Sequence, residues 1–356
     1  MKRPSQYLRK RLIRLSEYRK SQRMRGVKNY RSKSRSFISP RDVIKAPIRF
    51  SLTKGDGVEV VKFLKAVATQ VLKIGKPVKL NFKDTESFYV PGAIFLFAEL
   101  NRIIKLSTLP KPITIVDPYR RRPREVLKQI ELHKLTGDNS EIVPQRDDVV
   151  FWKATKGSTQ TGDDLGPILE FVTERANKEH IKQVEVSGIW RGVSEAVANV
   201  VDHAYENPRH DGFQGLDDTK WWMFTQIKDQ LFTAAVCDLG CGYRNTINRS
   251  IPENFISKIK EVLLGRNKDV VAINVAMEYG RSGTRQDNRG KGSRDALSVL
   301  TMHGQGELVI LSNSGFVRYS LNSGHEKVTM DDIGIDIGGT VIWWRLPLAE
   351  SENDKD

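Results

Sequence analysis

The sequence predicts an α/β protein with a basic N-terminal arm, a small α/β domain and a larger α/β sandwich, and three observations predict it. Apolar runs of strand length alternate with helical patterns from Pro47 to Leu135. After residue 165 a helical pattern is followed by two pairs of apolar runs, each pair joined by a tight polar turn. The charge is confined to one end: residues 1–45 hold sixteen Lys or Arg against Glu17 and Asp42, which is +14 of the chain's net +15. These features set the expected boundaries: arm 1–45, α/β domain 46–136, linker 137–164, second α/β domain 165–350 and acidic tail 351–356.

The arm interleaves Tyr7, Leu8, Leu12, Ile13, Leu15 and Tyr18 with bases, then thins into "RSKSRSF". Arg9, Lys10, Arg11, Arg14, Arg19, Lys20, Arg23 and Arg25 are its candidate nucleic-acid contacts, because each neutralised phosphate releases counterions and the rings can stack on bases. A solvated or protein-docking tail, a transit peptide and a membrane-surface segment are the alternatives. No segment approaches eighteen uncharged apolar residues, so no membrane span is expected. Two cysteines, Cys237 and Cys241, are too few for a disulfide scaffold and lack companions for a zinc site, which points to a reducing, cytoplasmic setting.

In the first domain, "PIRFSL", "PVKLNF" and "PITIVD" read as strands. Val58 to Leu72, Pro91 to Ile104 and Pro123 to Leu135 read as helices, the second opened by proline and glycine. Strands alternating with helices imply a partly parallel sheet. This order, with a helix beginning just after "NFKDTESFYVPG", resembles the STAS domains of anti-sigma-factor antagonists, and the resemblance implies a protein partner. The phosphate-accepting Ser or Thr of that family has no counterpart at Tyr89 to Gly92.

The linker is rich in Asp, Gly, Thr and Lys. In the second domain, "SEAVANVVDHAYENP" carries an apolar stripe (Val193, Ala196, Val197, Val200, Val201, Ala204) beside Glu195, Asn199 and Asp202, which stack at steps of four and three. "KWWMFTQI" and "LFTAAVCDLGCG" form a hairpin turning at Asp229 and Gln230, and its second strand ends in Asp238, Gly240 and Gly242. Glycines there let a backbone approach a ligand, and an Asp at a strand end can accept a hydrogen bond from an amino group. "EYGRSGTRQDNRGKGSRDALSVL" sets glycines among bases before a helix, a phosphate-binding arrangement that is neither a Walker A loop nor a dinucleotide fingerprint. "GELVILSNSGFVRYS" is a second hairpin turning at Asn313, Ser314 and Gly315, and Gly338, Gly339 and Thr340 precede a closing strand.

Taken in order, "EAVANVVDHAY", "DLGCG", "GRSGTRQDNRGKG" and "GGTVIWWRL" resemble the four boxes of the GHKL ATPases, over residues 165 to 348, the first box being most like the anti-sigma-factor serine kinases. The resemblance implies a Bergerat-type α/β sandwich, with helices on one face of a mixed sheet, that binds ATP and Mg2+. It implies that Asn199 coordinates Mg2+ and Glu195 is the base that orients the attacking water or hydroxyl. Asp238 would bind the adenine amino group, with Gly240 and Gly242 making room. Gly290, Lys291 and Gly292 would hold the phosphates, and Thr340 would support the adenine side. A lid is expected over residues 243 to 289, with helices at Pro252 to Leu264 and Val270 to Tyr279. His203 is expected as packing. Three functions follow: an ATP-gated switch with slow hydrolysis, a protein serine/threonine kinase of the anti-sigma type, or a non-catalytic nucleotide-binding module. A homodimer fits the same resemblance.

Overall fold

The computed structural model describes residues 42–138, 141–145, 153–158, 165–281 and 291–347, except 167–168, 171–172, 175–176, 178–182, 210, 214–219, 229–230 and 248–250. For 153–155, 183–187, 189, 227–228, 280–281 and 291–295 it describes the backbone alone. The arm residues Arg9 to Arg25, both hairpin residues Asp229 and Gln230, and Gly290 lie outside the described residues.

The N-terminal half is built on parallel strands. β1 (Asp42–Lys45), β3 (Val78–Asn81) and β5 (Ile113–Val116) pair in parallel in that order, while β2 (Arg49–Phe50) pairs in parallel with β4 (Ser87–Phe88). Parallel neighbours need crossovers, supplied by α1 (Asp56–Ala68), extended as a π-helix over Thr69–Ile74, and α2 (Val90–Leu106). β1 lies inside the segment expected as arm, because its pairing with β3 makes Asp42–Lys45 part of the sheet. Pro91 occupies the first turn of α2, and Gly92 lets that turn close on β2: a Cβ there would lie 2.3 Å from the Phe50 carbonyl oxygen. The single helix expected over Pro123 to Leu135 is two, α3 (Arg121–Gln129) and α4 (Leu132–Thr136), broken where Glu131 turns left-handed at φ 58°.

The C-terminal half is a seven-stranded sheet in the order β11, β10, β9, β12, β8, β7, β6. Its strands are β6 (Lys153–Gly157), β7 (Trp221–Lys228), β8 (Leu231–Asp238), β9 (Gly306–Ser312), β10 (Gly315–Asn322), β11 (His325–Asp332) and β12 (Thr340–Pro347). Among the described residues every pairing is antiparallel, which corrects the mixed sheet expected from the sequence: β7–β8, β9–β10 and β10–β11 are hairpins, which reverse the chain, and β12 and β6 run opposite to the strands they join after longer connections. β6 falls in the segment expected as linker; it pairs with β7 and closes one edge. β11, with mostly exposed side chains and little apolar alternation, was not anticipated either.

On one face of this sheet lie α5 (Gln183–Asn199), α7 (Lys268–Arg281) and α8 (Lys291–His303), sharing a core of Val197, Met223, Val236, Ile273, Leu300, Ile310 and Trp344. The Trp344 indole donates to the Ala296 carbonyl at 3.1 Å, fixing α8 against β12. α6 (Glu253–Val262) packs on the far side of α7 through Ile256, Val271 and Val275. α7 is thus buried on two sides, and the part of the expected lid at Lys268–Arg281 is corrected to a core helix; residues 282–289 lie outside the described residues.

The opposite face is covered by the N-terminal half. One continuous apolar cluster joins Phe50, Leu80, Phe95 and Ile113 to Trp222, Phe224, Cys237, Leu311 and Val341, and α2 touches β7, β8 and β12. The two expected domains are therefore parts of one compact unit from residue 41 onward. α2 is buried all around from Gly92 to Ile103, with Glu99 and Arg102 in that interior. Such charges must be paired, and they are: Arg102 Nε donates to Glu99 Oε2 at 3.2 Å and its Nη2 to Asp211 at 2.5 Å, while Arg209 binds Glu99 Oε1. Burial alone would push the Glu99 carboxyl up, but the Arg209 and Arg102 guanidiniums outweigh it and hold it below the usual carboxylate range.

Candidate nucleotide site

The three strands at the centre of the large sheet end together, and that places the polar residues. Thr340 is paired with Asp238 on one side and with Ser312 on the other, and the alternation that turns Val236 and Ile342 toward the helices turns these three residues the same way. Asp238 and Thr340 form the polar base of a cavity of about 120 Å³, and Ser312 stands beside Thr340 outside its lining. α5 and its extension supply one wall with Ala196, Asn199, Val200 and His203; the chain after β8 supplies Gly242, Tyr243, Thr246 and Ile247; and α7 supplies Ala276 and Tyr279.

Asp238 is the buried acceptor of this site. Its Oδ1 accepts from the Gly240 N–H at 2.8 Å, and the backbone N–H and hydroxyl of its strand partner Thr340 lie near enough to favour the charged form. Burial nevertheless dominates these donors and pushes the carboxyl up to about 6. The bond from Gly240 leaves lone-pair capacity of the carboxylate free for a ligand N–H. The Thr340 hydroxyl lies 3.1 Å from that of Ser312, which in turn accepts from the Tyr243 N–H at 3.0 Å.

Two glycines are needed for reasons of space. A Cβ on Gly240 would lie 2.1 Å from the Ala204 carbonyl oxygen, so only glycine lets the chain after β8 pass under the end of α5. Gly242 sits at φ 76° with the Asn313 side chain against its Cα, 2.6 Å from where a Cβ would be. Cys241 N–H donates to the same Ala204 carbonyl at 2.8 Å, and Asn313 Nδ2 to the Cys241 carbonyl at 3.3 Å.

After Asn199 the helix widens into a π-helical turn, Val200–Ala204. A π turn changes the angular step per residue, so Asp202 leaves the row formed by Glu195 and Asn199. It is exposed and does not line the cavity. His203, expected as packing, is instead exposed at the cavity wall, with Nδ1 3.3 Å from Glu206 Oε1.

The cavity thus brings together Asn199, Asp238, Gly242 and Thr340, with Gly240 directly behind Asp238. Glu195 lies one helical turn before Asn199, half-buried and outside the lining. Lys291 and Gly292 begin α8, where only their backbone is described, and Gly290 is outside the described residues. No protein-family model and no curated protein matches this chain.

Sequence reasoning missed Ser312, Asn313 and Arg209. The first two sit in "LSNSG", read as a turn; the signal was a run of small polar residues directly after the apolar run "LVIL". Arg209 follows the first box in "ENPRHD", and nothing local marks it. Among the described residues no group of three or more His, Cys, Asp or Glu is placed to hold a metal, and both cysteines are free and buried. An amide oxygen such as that of Asn199 suits Mg2+, which keeps most of its waters and takes its other ligands from phosphates. No described helix is long and apolar enough to cross a membrane.

Proposed function

We propose that the cavity is the adenine end of a GHKL-type ATP site and that the protein is an ATP-gated switch with slow hydrolysis. The observation that carries this reading is Asp238: a buried carboxylate held by the Gly240 N–H, with acceptor capacity left, at the base of a cavity on whose wall Asn199 stands. Residues from three of the four boxes, separated by up to 141 positions between Asn199 and Thr340, line that cavity together. The covered helical face of the antiparallel sheet supports a Bergerat-like unit, and the parallel strands of the N-terminal half support a STAS-like one.

In this reading Asp238 accepts from the exocyclic amino group of adenine, and apolar Val200, Ile247 and Ala276 face the ring. Mg2+ would be held by Asn199 together with the phosphates and would neutralise their charge. Glu195, one turn earlier, orients the attacking water, and the backbone N–H groups at the start of α8 face the phosphates.

Incubation with γ-labelled ATP tests the reading. Wild type should release free phosphate slowly; phosphate transferred to protein would favour the kinase alternative. Asn199→Ala should lose Mg2+-dependent ATP binding by equilibrium dialysis, whereas Glu195→Ala should keep binding and lose turnover by about 100-fold or more. Unchanged ATP binding in Asn199→Ala would sink the site assignment.

We also propose that the basic arm contacts nucleic acid, on the strength of its +14 charge alone. Filter binding of the full chain to a duplex should weaken by orders of magnitude from about 50 to 200 mM salt, and deletion of residues 1–40 should remove it. Affinity unaffected by the deletion would refute this role.

A further inference from the structure

A second cavity, of about 600 Å³, lies on the other side of the large sheet, where the two halves meet. It is in the size range of small-molecule sites and shares no lining residue with the nucleotide cavity. Its walls are apolar on the α1 and α2 sides, with Val61, Leu64, Leu72 and Phe95. Its polar lining carries four cations, Lys65, Lys73, Arg102 and Arg209, against Glu99 and Asp211.

The informative residue is Arg209. Its side chain is 6 % exposed, and its Nη2 is engaged by Glu99 and by the Ile337 carbonyl at 2.8 Å, but its buried Nη1 has no hydrogen-bond partner among the described residues. A charged donor left unsatisfied in the interior is costly, and a ligand oxygen is the group that would satisfy it. Glu99 and Asp211 are both already bound to Arg102 and Arg209, so they leave the cavity's excess positive charge for a ligand.

We propose that this cavity is a second ligand site, for a small amphiphilic carboxylate. The carboxylate accepts from Arg209 Nη1, the apolar body lies along Val61, Leu64, Leu72 and Phe95, and the exposed Lys65 and Lys73 add attraction for the anion. Arg209 also abuts the loop that leads to Thr340: a Cβ on Gly338 would fall 2.5 Å from Arg209 Nε. The side chain that holds the ligand is therefore the one that supports the closing loop of the other cavity.

Calorimetric titration of the full chain with decanoate, below its micelle-forming range and without nucleotide, tests the proposal. One saturable site per chain is expected. Decyltrimethylammonium, with the same tail and the opposite head, should give none, and inorganic phosphate should bind at least tenfold more weakly. Arg209→Gln should weaken decanoate at least tenfold. Because Arg209 lies in a buried network, Ala68→Leu, which narrows the cavity from α1 without touching that network, is the second variant and should weaken it comparably. The proposal is overturned by an absence of saturable decanoate binding, by equal binding of the ammonium compound, by phosphate binding as tightly as decanoate, or by an unaltered affinity in Ala68→Leu.

Discussion

Replacing Glu99 by Gln is expected to cost about 3–5 kcal/mol of folding stability, the effect of removing one partner from a buried ion pair. Glu99 stands between two guanidiniums, Arg102 on its own helix and Arg209 from the C-terminal half, and only Asp211 would remain to balance them. Against a typical total of about 5–15 kcal/mol this is a large loss. Urea denaturation should show a lower midpoint with an unchanged slope. The sign of the pH dependence follows from the depressed carboxyl. The unfolded chain binds the Glu99 proton more tightly than the folded one, so the contribution is present above the unfolded value near 4.5 and is lost as pH falls through the lower folded value. Glu99→Gln should lack that acid limb. A midpoint within experimental error of wild type at pH 7 would show that the network does not hold the two halves together.

Asp238→Asn is expected to weaken Mg-ADP binding by about 100-fold, since an amide offers donors where adenine presents one and leaves groups unpaired. Discrimination between ATP and GTP should narrow in the variant, because guanine carries an acceptor at that position. In wild type, binding should weaken as pH falls through about 6, where Asp238 takes up its proton. Stability responds with the opposite sign to that at Glu99. The folded state holds the Asp238 proton more tightly than the unfolded chain, so wild type loses stability as pH rises from about 3.8 to about 6. The stability of wild type relative to Asp238→Asn should therefore drop by about 2 kcal/mol between pH 4 and pH 7, most of a shift of about two pH units at about 1.4 kcal/mol each. Parallel urea melts across that range measure it, and a constant difference would mean that burial does not perturb Asp238.

Several elements of the fold were legible because each rests on local chemistry. Pro91 and Gly92 announce a helix start, "SNSG" a hairpin turn, and the apolar spacing around Val193 to Ala204 a one-sided helix. Asp238 and Gly240 at a strand end announce a place where the backbone comes close to something. What escaped was set by partners far along the chain. Neither the pairing of β6 with β7 nor that of β1 with β3 has a signal in its own few residues, so one read as linker and the other as arm. β11 is mostly exposed and gave no apolar alternation to read.

The sequence by itself determined the α/β class, the alternation of the N-terminal half and the hairpins, because period, turn chemistry and residue type are local properties; Asn199, Asp238 and Thr340 were grouped only through the family resemblance. Only the tertiary structure decided that the sheet is antiparallel throughout, that the N-terminal half covers its second face, and that Arg209 joins α2 to the loop before Thr340. The continuous apolar runs "LFTAAVC" and "TVIWW" require cover on both faces of a sheet, but burial is non-directional and any apolar surface would satisfy it. In the structure the covering half meets the sheet with a buried ion pair between Glu99 and Arg209, 110 positions apart, and no local pattern in a sequence encodes that pairing.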